Sequence, residues 1–157
     1  MDMPYLTPLS TAQLREAQIP EPWTFGMMDR VRFGELDVLG HVNNTAYLRW
    51  FENFRIHYFR DYGVNTYKGT PPRIVLKSIS LDFKAEVLLH DDYIVTGRTA
   101  SFRSSSFVME YAVWVRGTCT TLGGAIIVSL NPDSSKRPLP EALKETFQTR
   151  DGAASAL

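Results

Sequence analysis

Asp37 stands in the run RVRFGELDVLGHVNNTAYLRWFENFR, which spans residues 30–55. A carboxylate can attack a carbonyl carbon itself or take a proton from water that does so. Gly40, three residues on, lets the chain turn sharply. The turn delivers the backbone to a helix that starts near Asn44. A helix start carries unpaired N–H groups and partial positive charge, so it can hold a developing oxyanion. A carboxylate beside such a start is a hydrolytic pair. Spacing alone leaves the ordinary readings open: Asp37 as a turn or capping aspartate, His41 as a hydrogen-bonded loop residue, and Asn43 and Asn44 as helix caps.

The element behind this loop is the strongest periodic signal in the chain. Tyr47, Phe51, Phe54, Tyr58 and Tyr62 recur at helical spacing, with Arg49, Asn53, His57 and Arg60 in a polar stripe. Asn43 or Asn44 can cap the start, and Gly63 can end the helix in the left-handed conformation. Residues 23–33 read as a strand. After Gly63 the period changes to two: Ile79, Leu81 and Phe83 alternate with polar residues. Residues 91–103, 107–116 and 118–130 read as further strands, with Gly123 and Gly124 marking a bulge or a close backbone approach. Short turns imply antiparallel neighbours. About five strands then have one apolar face to bury, and the aromatic helix is the large partner available. This predicts an α+β fold, an antiparallel sheet curled around a long helix. Residues 1–22, punctuated by prolines and with a short helix over 11–18, form an N-terminal extension packed on the domain. Residues 23–149 form a single domain ending in a short helix over 140–148, and residues 150–157 form a tail.

The 157 residues, 44% hydrophobic and 22% charged, suit one globular domain. Seventeen basic and seventeen acidic residues cancel, which points to neither a dedicated nucleic-acid binder nor an anionic-membrane binder. The one cysteine, Cys119, reads as a small core residue, and no Cys/His cluster has metal-ligand spacing. The first residues lack the basic start and apolar core of a signal peptide, and no apolar run approaches the ~20 residues of a membrane span. The expected setting is the cytoplasm.

The run from Asp37 to Arg55 resembles the signature of the 4-hydroxybenzoyl-CoA thioesterase-like hotdog family, D-x-x-G-H-V-N-N-x-x-Y-x-x-x-x-E-x-x-R, and matches every set position of it. The likeness covers roughly residues 26–140, including residues 80–86 and the hairpin Arg103-Ser104-Ser105-Ser106-Phe107. It implies a hotdog fold and hydrolysis of an acyl thioester, with no cofactor or metal beyond the coenzyme A carried by the substrate. It makes Asp37 the catalytic carboxylate and the Asn44 main-chain N–H the oxyanion donor. Gly40, His41, Val42 and Asn43 would line or brace the loop, and Tyr47 would lie near the acyl group. The family assembles through edge-to-edge sheets with sites at the subunit interface, which implies a homodimer or a dimer of dimers. Two departures stand out. Lys84-Ala85 replaces a frequent Arg-Pro, so Lys84 would meet a coenzyme A phosphate without the bidentate fork of arginine; Arg103 and Lys77 are further candidates. Ser104 and Ser105, which with Ser106 occupy a turn that often holds glycine, are further substrate-binding candidates. Glu52 is expected to pair with Arg55, three residues on, and the aromatic stripe to border any acyl tunnel between helix and sheet. An acyl carrier protein thioesterase and a non-catalytic acyl-thioester binding module are the alternative readings. A hotdog dehydratase finds no matching His/Glu pattern on a helix.

Overall fold

The structure, a computed structural model, describes residues 3–156. The chain runs β1 (Pro8–Leu9), α1 (Thr11–Glu16), β2 (Gly26–Arg30), a 3-10 turn (Phe33–Glu35), α2 (Asn44–Tyr62), β3 (Arg73–Phe83), β4 (Asp92–Phe102), β5 (Ser106–Val115), β6 (Thr118–Leu130), α3 (Glu141–Asp151) and β7 (Ala154–Ser155). The sheet order is β1-β2-β4-β5-β6-β3, antiparallel throughout, with β7 added parallel to β4. The sheet wraps α2 as a hotdog fold does. To the roughly five strands that the sequence predicts, the chain ends add the two-residue β1 and β7.

The aromatic stripe buries as its spacing predicts. Tyr47, Phe51, Phe54, Tyr58 and Tyr62 are all buried, and Trp50 and Phe59 join them. Asn43 caps α2 through its side-chain oxygen, which accepts from the Thr45 N–H, and Gly63 ends the helix at φ 83°. Two glycines let the helix rings reach the sheet backbone. A Cβ at Gly97 would lie 2.4 Å from Phe54 Cε1, and one at Gly123 would lie 3.1 Å from Phe51 Cε2. Gly123 is thus a close approach rather than a bulge; the irregularities in register fall at Leu76/Ser78, Thr99/Ser101 and Val113/Trp114. Phe51 stacks on Tyr111 with centroids 4.5 Å apart. These rings fill the middle of the helix–sheet interface and pack there as core.

Two other expectations change. The strand over 23–33 shortens to β2, because Trp23 turns into a second cluster and Arg32 opens the 3-10 turn. In that cluster, Leu9, Leu14, Ile19 and Trp23 cover Ile94, Ala112 and Trp114 on the outer face of the sheet. The N-terminal extension therefore supplies the cover for a face that helix α2 does not reach. Second, β3 and β4 are not neighbours despite their short link. β3 lies at one edge against β6, while β4 lies between β2 and β5. Residues 84–91 must cross from one edge region to the other, and they cross past the start of α2.

Candidate active site

That crossing builds the site. Val42 N–H donates to the Val87 carbonyl at 2.9 Å, and His41 bridges to Leu88, so the crossover is zipped to the loop before α2. The loop itself is closed tightly. The Asp37 N–H donates to the His41 carbonyl at 2.8 Å, the Gly40 N–H donates to the Asp37 carbonyl at 3.1 Å, and Leu36 bridges to Val42. Gly40 sits at φ 81°, the left-handed region that suits glycine.

The Asp37 carboxylate is half-buried. Its Oδ1 accepts from the Leu39 N–H at 2.9 Å and the His41 N–H at 3.2 Å. Among the described residues, its Oδ2 accepts no hydrogen bond. One oxygen is thereby held and the other is free of hydrogen bonds from the described residues. Asn43 Oδ1 accepts from the Thr45 N–H at 2.9 Å and the Thr45 hydroxyl at 3.0 Å. The N–H of Asn44, the first helical residue, has no acceptor among the described residues, as expected of a first-turn donor.

Asp37, His41, Val42, Asn44 and Tyr47 line one cleft of about 270 Å³ together with Phe83, Lys84, Ala85, Glu86 and Val87. Tyr47 packs against Phe83 with ring centroids 5.1 Å apart, and burial pushes its hydroxyl pKa up, offset in part by Thr121. His41 Nε2 lies 3.1 Å from Glu86 Oε2. Lys84 Nζ is exposed on the rim, 3.7 Å from Asp82 Oδ2. Asp37, with a carboxylate oxygen free of hydrogen bonds, and Asn44, with an unpaired main-chain donor, thus line one open cleft together with aromatic and aliphatic side chains. It is equipped to polarise a carbonyl and add water to it.

The other expected residues do not join them within the chain. Arg103, Ser104 and Ser105 form the β4–β5 hairpin, where Ser106 pairs with Val128 of β6. The cleft lies at the other end, where the Lys84 N–H donates to the Thr120 carbonyl. Eight residues of strand separate the two, roughly 26 Å at about 3.3 Å per residue. Arg103 and Lys77 line a separate outer groove. Ser104 and Ser105 are engaged structurally, since their carbonyls accept from the Leu139 and Ser129 N–H groups. The Glu52–Arg55 ion pair is not present among the described residues. Arg55 instead reaches the sheet, where its Nη1 donates to the Tyr111 hydroxyl at 3.1 Å, and Glu52 stays exposed.

Sequence reasoning missed Glu35, Trp50, Glu86 and Val87. Glu86 and Val87 carry no local signal, because only the crossover brings them here. Glu35 sits two residues before Asp37, and its Oε2 accepts from the Trp50 Nε1–H at 2.5 Å. Among the described residues, no group of three His, Cys, Asp or Glu is placed to hold a metal ion, and no helix is long and apolar enough to cross a membrane.

Residues 31–147 match the family model described as the thioesterase-like superfamily. A crystal structure described as thioesterase superfamily, from Jannaschia sp. CCS1, has a TM-score of 0.93 at 50% identity, covering 98% of this chain and 99% of that one. A thioesterase from Thermus thermophilus, complexed with coenzyme A and Zn, has a TM-score of 0.71 at 31% identity, covering 85% of this chain and 98% of that one. The uncharacterized protein YsmA of Bacillus subtilis (strain 168) is 27% identical over 107 residues, 68% of this chain and 72% of its own length.

Proposed function

The chain belongs to the thioesterase-like superfamily, and on that premise we propose that it hydrolyses acyl-CoA thioesters with Asp37 as the catalytic carboxylate and the Asn44 main-chain N–H as oxyanion donor. The observation that carries this reading is the pairing of a carboxylate oxygen free of hydrogen bonds with an unpaired helix-start N–H on one cleft. Coenzyme A as the thiol carrier is supported by the Thermus thermophilus thioesterase that holds it.

In the general-base form, Asp37 takes a proton from water as the water oxygen bonds to the thioester carbon. The carbonyl electron pair moves to oxygen, where the Asn44 N–H receives it. Collapse breaks the C–S bond, the coenzyme A thiolate, with an ordinary thiol pKa of ~8.5, leaves readily, and Asp37 gives up its proton to the departing thiolate or to solvent. In the nucleophilic form, Asp37 itself bonds to the carbon, expels the thiolate and gives an anhydride that water then cleaves. One oxyanion donor is worth about 3 kcal/mol of barrier, and a positioned base roughly 10²–10⁴-fold. Neither form calls on a metal or cofactor beyond the substrate's own coenzyme A. His41 braces the loop through its N–H on Asp37 and its ring beside Glu86.

The same reading places the protein in the cytoplasm and assembles it as a homodimer, or a dimer of dimers, through β3. β3 ends the strand order, and Leu76 and Phe83 on it are 44% and 46% exposed. An unpaired edge of this length invites another strand. Antiparallel pairing of two β3 edges runs the hairpin end of one subunit toward the cleft of the other, where Lys77 and Arg103 would meet the nucleotide phosphates.

The test is Asp37→Asn, assayed by thiol release over aromatic and aliphatic acyl-CoA substrates. We expect a folded protein whose kcat falls about 10²–10⁴-fold. Turnover at the original rate would remove Asp37 from the mechanism. Activity that required a carrier protein would move the substrate to acyl carrier protein thioesters, and tight acyl-CoA binding without turnover in the unsubstituted protein would make it a binding module.

A further inference from the structure

The Asp37 loop is tied to the rest of the molecule at one residue that the motif does not contain. Glu35 closes the 3-10 turn two positions before Asp37, and besides donating its N–H to the Arg32 carbonyl at 2.9 Å it accepts three hydrogen bonds, one within the turn and two from helix α2 and its cap. Its Oε1 accepts from the Arg32 N–H at 2.8 Å, which holds the turn itself. Its Oε2 accepts from the Trp50 Nε1–H at 2.5 Å, which ties the turn to the second turn of α2. Its main-chain carbonyl accepts from the N–H of Asn43, the helix cap, at 2.8 Å. Trp50 is itself immobilised: it is buried and stacks on Tyr93 of β4 at 3.7 Å between centroids and 15° between planes. The indole is therefore anchored to the sheet on one side and offers its single donor to Glu35 on the other.

We propose that Glu35 is a positioning residue for the hydrolytic site, a buckle that sets the separation of the Asp37 carboxylate from the Asn44 N–H. This inference rests on the thioesterase reading given above. Asp37 reaches the helix start by two routes. One is the seven-residue loop, whose hydrogen bonds link it to itself and to the crossover. The other is Glu35, which grips the cap residue and the helix side directly. Carboxylate and oxyanion donor must both meet one reacting carbon, and a misplacement of about 1 Å can cost 10²-fold in rate. A group that binds both sides of that gap controls kcat without touching substrate.

The chemistry of the two carboxylate oxygens makes the role testable. Each oxygen accepts from a separate N–H. A glutamine has one acceptor oxygen and one amide nitrogen that only donates. Glu35→Gln therefore turns one hydrogen bond into two donors facing each other, although size and shape are unchanged. Trp50→Phe removes the indole donor while keeping a ring against Tyr93. In the double variant the glutamine oxygen accepts from Arg32 and nothing opposes its amide.

The experiment is a double-mutant cycle on kcat and KM, combined with amide hydrogen exchange over residues 36–44. Glu35→Gln is expected to lower kcat about 10- to 100-fold with KM within about 2-fold. On the Trp50→Phe background the same change is expected to cost no more than about 3-fold, the coupling that marks residues in contact. Exchange in the loop should quicken in Glu35→Gln while strands β4 to β6 keep their protection. An unchanged kcat, an equal fold-loss on both backgrounds, or exchange that quickens uniformly across the sheet would overturn the proposal. If the unsubstituted protein turns over no acyl thioester at all, the functional reading falls; the local or uniform exchange pattern then still decides whether Glu35 holds the loop.

Discussion

In the proposed mechanism, Asp37 and Asn44 divide the chemistry between a side chain and a backbone group. The backbone donor cannot be removed by ordinary side-chain substitution, but the helix geometry offers a way. Asn44 is the first helical residue, and Asn43 before it is extended at φ −65° and ψ 143°. Proline is favoured at a first helical position, and an extended residue is what a following proline requires. Asn44→Pro should therefore delete the N–H and leave α2 intact. The expected result is a kcat loss of about 10²–10³-fold, read by thiol release, with an unchanged helical circular dichroism spectrum. Asn44→Ala keeps the N–H and should retain most of the rate. If Asn44→Pro folds and turns over normally, the oxyanion is held elsewhere.

Helix α2 and the sheet meet through rings set into glycine notches. Gly97 of β4 faces Phe54, and Gly123 of β6 faces Phe51. At Gly97 the added methyl would overlap a ring that is itself packed edge-on against Phe25 at 5.6 Å and against Tyr111 at 6.1 Å. Neither ring can yield cheaply, and overpacking of this kind costs about 1–3 kcal/mol. Gly97→Ala should lower the urea midpoint accordingly, whereas alanine at Gly124, where the nearest side-chain atom is 3.5 Å away, should cost less. Equal stability of the two variants would mean that the helix shifts freely over the sheet. The crossover of residues 84–91 sends Val87 into the core and supplies one wall of the cleft because β3 and β4 lie apart in the sheet.

At the scale of the molecule, the far end of α2 is locked by Asp151 of α3. The residue is 4% exposed. Its carboxylate accepts from the Tyr58 hydroxyl at 2.6 Å, the Tyr62 hydroxyl at 2.5 Å and the Thr99 N–H at 2.8 Å. One carboxylate thus joins α2, α3 and β4. Asp151→Ala leaves three buried donors without it. The Tyr58 hydroxyl keeps Thr99 Oγ1 as a partner at 2.8 Å, but the Tyr62 hydroxyl and the Thr99 N–H are orphaned at about 1–3 kcal/mol each, so a loss of at least about 2 kcal/mol is expected in chemical denaturation. Burial raises the Asp151 pKa above its ordinary value, although the two tyrosine hydroxyls, the Thr99 N–H and Arg98 pull it down. The folded state then holds this proton to higher pH than the unfolded state does. Its contribution is present in full below the ordinary carboxylate pKa and is lost as pH rises through the raised one. The stability advantage of the native protein over Asp151→Asn should therefore be larger near pH 4 than near pH 7. An advantage that grows with pH would show instead that the hydrogen bonds outweigh desolvation.

Much of this is legible in residue order. The aromatic period names the buried face of α2, Asn43 and Gly63 mark its ends, and residues 118–130 carry the pattern of the strand they form. The motif puts Asp37, Gly40, His41 and Asn44 on one short stretch of chain, so their proximity follows from local geometry alone. The remainder depends on contacts between distant segments, which local periodicity does not encode. Residues 150–157 read as a tail, yet Asp151 is buried because Tyr58 and Tyr62 await it across the fold. Arg55 faces Tyr111 rather than Glu52 because the sheet offers a partner that the helix cannot show. Glu86, Val87 and Trp50 reach the site region only when the strand order sends residues 84–91 past the helix start and stacks an indole on Tyr93. The chain itself determined which groups of the motif stand together on one loop; tertiary structure decided what holds them, because holding takes partners that sequence distance hides.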